Sequence, residues 1–172
     1  QLKTAPAAVI ILLSLIFQFT VLAKNEIEND DESQKFNFWI GEWDVFKNDT
    51  LKAGDSRIER ILQEAVILEN YSTPNGYEGK SFNYFDKEKN KWVQFWVDKN
   101  AQSILFEGNY DEQQKAIVYF SYDKNTGDKP YIVKLRFFDI DSNTVRQFSE
   151  RTYDDGKTWH TEYDLLYKRL VK

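Results

Sequence analysis

From Phe36 onward the chain is a succession of short β-rich runs joined by connections too brief to hold a helix. The first run is Trp43-Asp44-Val45-Phe46-Lys47, with Asn48-Asp49 offering a turn behind it. Ser56 to Gln63 carries Ile58 and Ile61-Leu62, and Ala65 to Ser72 carries Val66-Ile67-Leu68 and Tyr71. Pro74-Asn75-Gly76 is a strong turn, because Asn-Gly readily takes positive φ. Further runs follow at Lys80 to Phe85, Trp92 to Val97, Ser103 to Phe106, Ala116 to Tyr122, Tyr131 to Phe138, Thr144 to Phe148 and Trp159 to Leu170. Polar turns such as Asn125-Thr126-Gly127-Asp128 and Asp141-Ser142-Asn143 separate them. The pattern predicts about ten strands rich in aromatic and β-branched residues. Connections this short make neighbouring strands antiparallel. A row of hairpin-linked strands is best satisfied by an up-and-down barrel, since closure removes exposed sheet edges. A two-sheet sandwich competes, but Greek-key topology needs longer crossovers than any evident here.

Several runs alternate as a wall with one wet side would. Trp159, Thr161, Tyr163, Leu165 and Tyr167 share one face of the last run, against His160, Glu162, Asp164 and Lys168. Val133, Leu135 and Phe137 oppose Lys134 and Arg136. The Trp92 run does not alternate. Trp92, Gln94 and Trp96 face one way and Val93, Phe95 and Val97 the other, and periodicity leaves open which set points inward. An aromatic share of 16% implies a substantial core.

The N-terminal segment reads differently. Lys3 precedes the apolar stretch from Ala7 to Phe17, interrupted only at Ser14, and Val21-Leu22-Ala23 closes it. A positive start, an apolar middle and a small terminal residue form the secretory pattern. A membrane anchor needs about 20 predominantly apolar residues, and Gln18 and Thr20 break this run early. The expected organisation is a signal peptide over residues 1–23, an acidic tether over 24–35 and a barrel domain over 36–172. A retained anchor is the alternative to cleavage after Ala23. The implied location is secreted or periplasmic, with no membrane span once the signal is removed.

Charge and composition narrow the function classes. Acidic residues outnumber basic ones 28 to 23, so the net charge is −5 and no basic run awaits a phosphate backbone. Nucleic acid is not an expected partner. Without cysteine, and with His160 as its one histidine, the chain offers no disulfide framework, thiolate zinc site or multi-histidine site. No cofactor is expected and no metal ligands are assigned, although an oxygen-ligand calcium site stays open.

Phe36-Asn37-Phe38-Trp39-Ile40-Gly41-Glu42-Trp43-Asp44-Val45 opens the β-rich region. Its Gly41-x-Trp43 resembles the G-x-W signature of lipocalins and other calycins. The full decapeptide resembles the opening of a bacterial family of uncharacterised, lipocalin-like exported proteins. Val66-Ile67-Leu68-Glu69-Asn70, Gly79-Lys80-Ser81, Lys91 to Asp98 and Asp155-Gly156-Lys157-Thr158-Trp159 extend the likeness over nearly all of residues 36–170. It implies an all-β lipocalin-like barrel with a short helical plug before the first strand. It also implies that an Arg at the end of the last strand, here Arg169, packs over the ring of Trp43. Cation–π attraction gives that pair a physical rationale. No activity and no catalytic residues come with the resemblance.

Thr152-Tyr153-Asp154-Asp155-Gly156-Lys157-Thr158-Trp159 resembles the Asp box, a hairpin turn repeated in sialidase propellers. Asp154 would hold turn N–H groups, Gly156 would take the left-handed position and Trp159 would pack beneath. A propeller needs several copies at a fixed period. One copy in a chain this short reads as a structural turn, not a glycosidase site.

Polar residues within the aromatic strands are the binding candidates. Barrel pockets are mostly apolar with a few placed polar groups. Trp92, Gln94, Trp96, Gln147 and Arg151 are therefore the expected ligand-binding residues, for a small apolar or amphipathic molecule. Arg151-Thr152-Tyr153 resembles the Arg–Tyr pair with which fatty-acid-binding calycins hold a carboxylate, but its overlap with the Asp-box turn places it at the barrel rim, and a solvated Arg151 on the outer face is the stronger expectation. Two other functions compete. One is an envelope interaction or scaffold protein with a filled barrel, motivated by outward aromatics such as Phe138. The other is an enzyme of unknown type, with Glu107 as an inward carboxylate if Leu105 faces the cavity. No nucleophile–base pair supports the enzyme, and a lone, outward His160 builds no triad. Asn48-Asp49-Thr50 and Asn70-Tyr71-Ser72 match the glycosylation sequon, which matters only in a eukaryotic secretory host.

Overall fold

A computed structural model describes residues 31–123 and 130–170. Residues 1–30 lie outside the described part, and with them the predicted signal segment, most of the predicted tether and the Asn125-Thr126-Gly127-Asp128 turn.

Residues from Glu32 onward form one compact unit. Two 3₁₀ turns, Glu32–Gln34 and Asn37–Trp39, precede ten strands. These are β1 (Gly41–Lys47), β2 (Leu51–Ile61), β3 (Val66–Ser72), β4 (Glu78–Asp86), β5 (Lys91–Asp98), β6 (Ser103–Asp111), β7 (Ala116–Asp123), β8 (Tyr131–Asp141), β9 (Thr144–Thr152) and β10 (His160–Arg169). Each strand pairs antiparallel with its sequence neighbour, and β1 pairs with both β2 and β10. The result is a closed, all-β, up-and-down barrel preceded by a short helical plug, and the sandwich alternative is excluded.

The alternation that is blurred in sequence becomes clear in burial. On β5 the inward set is Trp92, Gln94 and Trp96, while Phe95 faces outward and is exposed. On β3 it is Ile67, Glu69 and Tyr71, and on β9 Val145, Gln147 and Ser149. The β2–β3 connection is the least expected feature. Leu62, Gln63 and Glu64 all take positive φ, although none of them is a typical left-handed residue.

One end of the barrel is closed by the plug. Phe36 and Trp39 are fully buried there and stack on each other, with ring centroids 5.0 Å apart. Trp39 also meets Phe137 at 4.5 Å and Tyr167 at 5.9 Å. Trp92 reaches the same floor from β5, edge-on to Phe36 at 5.5 Å, and its indole N–H donates to the Glu32 carbonyl at 3.1 Å.

Trp43 and Arg169 lock the plug in place. The Trp43 indole N–H donates to the Trp39 carbonyl at 2.9 Å, and the Arg169 guanidinium sits over the Trp43 ring at 4.1 Å. Arg169 also donates to the carbonyls of Ile40 at 2.7 Å, Phe38 at 3.2 Å and Ser142 at 2.7 Å. One side chain thus ties plug, first strand and β8–β9 turn together. Gly41 permits this approach, because its φ of +146° suits glycine and a Cβ there would strike the guanidinium. Arg169→Lys keeps the charge but cannot reproduce three divergent bonds from a planar fork. Its expected cost is about 2 kcal/mol in urea unfolding. An unchanged midpoint would show that the latch adds nothing to stability.

The wall is incomplete between β6 and β7. Between β6 and β7 the ladder runs only from Glu107↔Phe120 to Asp111↔Ala116. Toward the open end, Ser103–Phe106 pair with β5 but with no residue of β7 among the described residues. A groove lined by Ile104, Leu105, Phe120, Tyr122 and Tyr131 marks the gap.

Candidate functional site

Above the plug the interior is open. A cavity of about 460 Å³ occupies the half of the barrel away from the plug, within the range of small-molecule sites. Its aromatic and apolar wall includes Trp96, Phe106, Leu135, Tyr163 and Leu165, and its polar groups are Glu69, Gln94, Gln147, Ser149, Arg151 and Glu162. Trp96 lies flat against β4 because residue 79 is glycine, and a Cβ there would run into the indole ring.

The deep polar group is Glu69. It is 2% exposed, and its neighbours converge hydroxyls on it. Ser56 Oγ donates to Oε1 at 3.0 Å, Ser81 Oγ donates to Oε2 at 2.9 Å, and Tyr167 Oη lies 3.2 Å from Oε1. A relay stands behind Ser81. Gln94 Nε2 donates to Asn83 Oδ1 at 2.9 Å, and Asn83 Nδ2 donates to Ser81 Oγ at 2.9 Å. Strand register explains the cluster, since Glu69 faces Ser81 across β3–β4 and Asn83 faces Gln94 across β4–β5.

Burial pushes the Glu69 carboxyl up to about 7, against hydrogen bonds from Ser81, Ser56 and Tyr167 that pull it down. The Tyr167 hydroxyl also lies 3.0 Å from Gln147 Oε1, so its single proton faces two acceptors. A protonated Glu69 resolves that conflict by donating to Tyr167, which then donates to Gln147. Burial raises Tyr167, Tyr163 and Tyr71 as well, which keeps them neutral around the site.

Arg151 stands at the rim and is already engaged. Its guanidinium pairs with Glu162 at 2.5 Å and lies over the Tyr131 ring at 4.1 Å. Glu162 also accepts from Ser149 Oγ at 2.8 Å. Tyr153 is exposed and meets Tyr131 edge-on, with centroids 6.2 Å apart. The rim is therefore a neutralised ion pair, not a free cation.

Gln94, Trp96, Gln147 and Arg151 all line the cavity. Trp92 shares their face of the wall but lies in the plugged floor, 1% exposed, and is not part of the lining. The Glu107 expectation needs correction. Leu105 is 52% exposed, and Glu107 faces outward to Lys89 at 2.8 Å. The deep inward carboxyl is Glu69, which sequence reasoning missed together with Ser56, Ser81 and Tyr167. The outward aromatic Phe138 is covered by the guanidinium groups of Arg136 at 5.3 Å and Arg146 at 5.6 Å.

The β9–β10 turn is built around Asp154. Its carboxylate accepts from the Thr158 backbone N–H at 2.9 Å and from the Thr152 hydroxyl at 2.7 Å, which holds it down at about 2. Gly156 takes a φ of +87° with the Trp159 ring close by. Lys134 Nζ covers that ring at 3.9 Å. These contacts make a self-contained turn and leave the Asp154 carboxylate engaged by the turn itself.

No protein-family model matches the chain, and no curated protein matches it.

Proposed function

We propose that this protein is an exported binding protein of the lipocalin-like kind that its opening motif resembles. It holds one small apolar or amphipathic molecule in the open half of its barrel. The observation that carries the proposal is the cavity of about 460 Å³, with an aromatic wall and a cluster of polar groups at its inner end. A barrel serving only as scaffold would gain stability by filling such a space with side chains. Gln94, Trp96, Gln147 and Arg151, expected from the sequence, are the proposed contacts, and Glu69 and Tyr163 join them. The cavity sets one buried carboxyl among hydroxyls and amides, which suits a receptor for a proton or polar headgroup better than an acid–base pair.

Native mass spectrometry of the purified protein before and after organic extraction tests this. The expected result is a mass excess that disappears on extraction and names the ligand's chemical class. A clean apo mass, together with no thermal shift from lipids, fatty acids, alkylamines or haem, would overturn the proposal.

A specific feature favours envelope interaction as the second reading. Register places Phe82 beside Phe95 and Phe95 beside Leu105 on the outer wall, and all three are exposed. This row would be the contact surface of such a protein.

A further inference from the structure

We propose that the ligand is a monocationic amine with an apolar body, its ammonium group received by Glu69 and its body held among Trp96, Phe106 and Tyr163. This rests on the barrel-binding function above and specifies the ligand class.

The charges on the cavity carry the inference. Arg151 and Glu162 pair with each other at the rim and cancel. Among the described residues that leaves Glu69, deep and without a cationic partner, as the one uncompensated carboxyl of the lining. A buried carboxylate is costly until it is paired. The three hydroxyls around Glu69 occupy three of its roughly four acceptor positions and leave room for one more donor. A charged N–H from the cavity side satisfies both the charge and the vacant position.

The wall fits the same chemistry. Tyr71, Trp96, Tyr163 and Tyr167 line the cavity with Glu69, and aromatic faces attract desolvated cations. A carboxylate ligand fits poorly. Its receptor would have to be Arg151, whose Nε has no hydrogen-bond partner among the described residues but whose charge is already offset by Glu162 at 2.5 Å and whose plane lies on Tyr131, and its body would extend toward Glu69.

Decylamine, decanol and decanoate share one apolar body and differ in headgroup charge, so titrating the whole chain with each at pH 8, read by tryptophan fluorescence, isolates the headgroup. The amine stays protonated there, as lysine does. The expected result is decylamine binding at least tenfold tighter than decanol, with decanoate the weakest. Glu69→Gln should remove the amine's advantage over decanol. In the wild type, decylamine affinity should also fall as pH drops from 8 to 5.5, because Glu69 must lose its proton to receive the cation. Tyr71, Tyr77, Tyr163, Tyr167, Arg151 and Glu162 face the same cavity. Decanol, bound among those groups without a charge, should show no such fall. This pH arm needs no variant and decides the matter even if Glu69→Gln folds poorly.

Equal binding of decylamine and decanol would overturn the amine assignment and leave the barrel-binding function standing. Tightest binding by decanoate would overturn it in favour of Arg151. No saturable binding by any of the three would overturn both.

Discussion

Trp39→Ala is expected to destabilise the barrel by about 3–5 kcal/mol, a large share of the stability of a domain this size. Trp39 is fully buried and touches the rings of Phe36, Phe137 and Tyr167. Its carbonyl holds the Trp43 indole N–H at 2.9 Å, so this residue joins the plug to the first strand through its backbone and to β8 and β10 through its ring. Removing the ring leaves a cavity that the rigid strands around it cannot collapse to fill. Trp39→Phe is the informative companion. It keeps an aromatic ring and removes an indole N–H that finds no acceptor among the described residues. Its cost should stay below about 1.5 kcal/mol. Urea unfolding of both variants checks the pair. A loss under about 1 kcal/mol for Trp39→Ala would mean that the plug is not part of the cooperative core.

The second large effect depends on pH. The folded-state carboxyl of Glu69 stands at about 7, above its ordinary value of 4.5. The folded barrel thus holds this proton more tightly than the unfolded chain does. The stability it contributes is fully present below about pH 4.5 and is lost as pH rises through about 7. A shift of that size corresponds to about 3 kcal/mol. Glu69→Gln is neutral at every pH, and Ser56 and Ser81 can turn their hydroxyls to meet an amide. Measured by urea unfolding, wild type and variant should agree closely at pH 5, and at pH 8 the variant should be the more stable by about 2–3 kcal/mol. Parallel pH profiles would show that Glu69 keeps an ordinary proton affinity inside the barrel. The comparison isolates Glu69, because Asp154 titrates in both proteins and at far lower pH, near 2.

Strand count, antiparallel order and closure were legible because turn residues punctuate the chain so regularly. The site was legible only in part, and the reasons are particular. Trp92, Gln94 and Trp96 do share a face, but periodicity gives the face and not the height along the strand. Four residues span about 13 Å, enough to carry Trp92 from the cavity into the floor. Glu69 was hidden because a glutamate beside Asn70 reads as the solvated side of a strand. The signal was available in its neighbours, since Ile67 and Tyr71 lie two positions away on either side and both face inward. Glu107 illustrates the converse. Ile104-Leu105-Phe106 is apolar throughout, so nothing in the sequence said which residues of β6 turn inward. The tight turn at Leu62–Glu64 contains no residue that announces positive φ, and its conformation follows from the register of β2 against β3.

The short ladder between β6 and β7 bears on how the barrel relates to other chains. Closure normally leaves no strand with free backbone groups, yet here a seam of a few residues behaves as the margin of an open sheet. Its N–H and C=O groups lack ladder partners and exchange with solvent more readily than those of the paired stretches. Leu105 at 52% and Tyr122 at 66% exposure flank it and give an incoming extended segment apolar purchase. That unpaired stretch of wall is a place onto which a foreign strand could be templated.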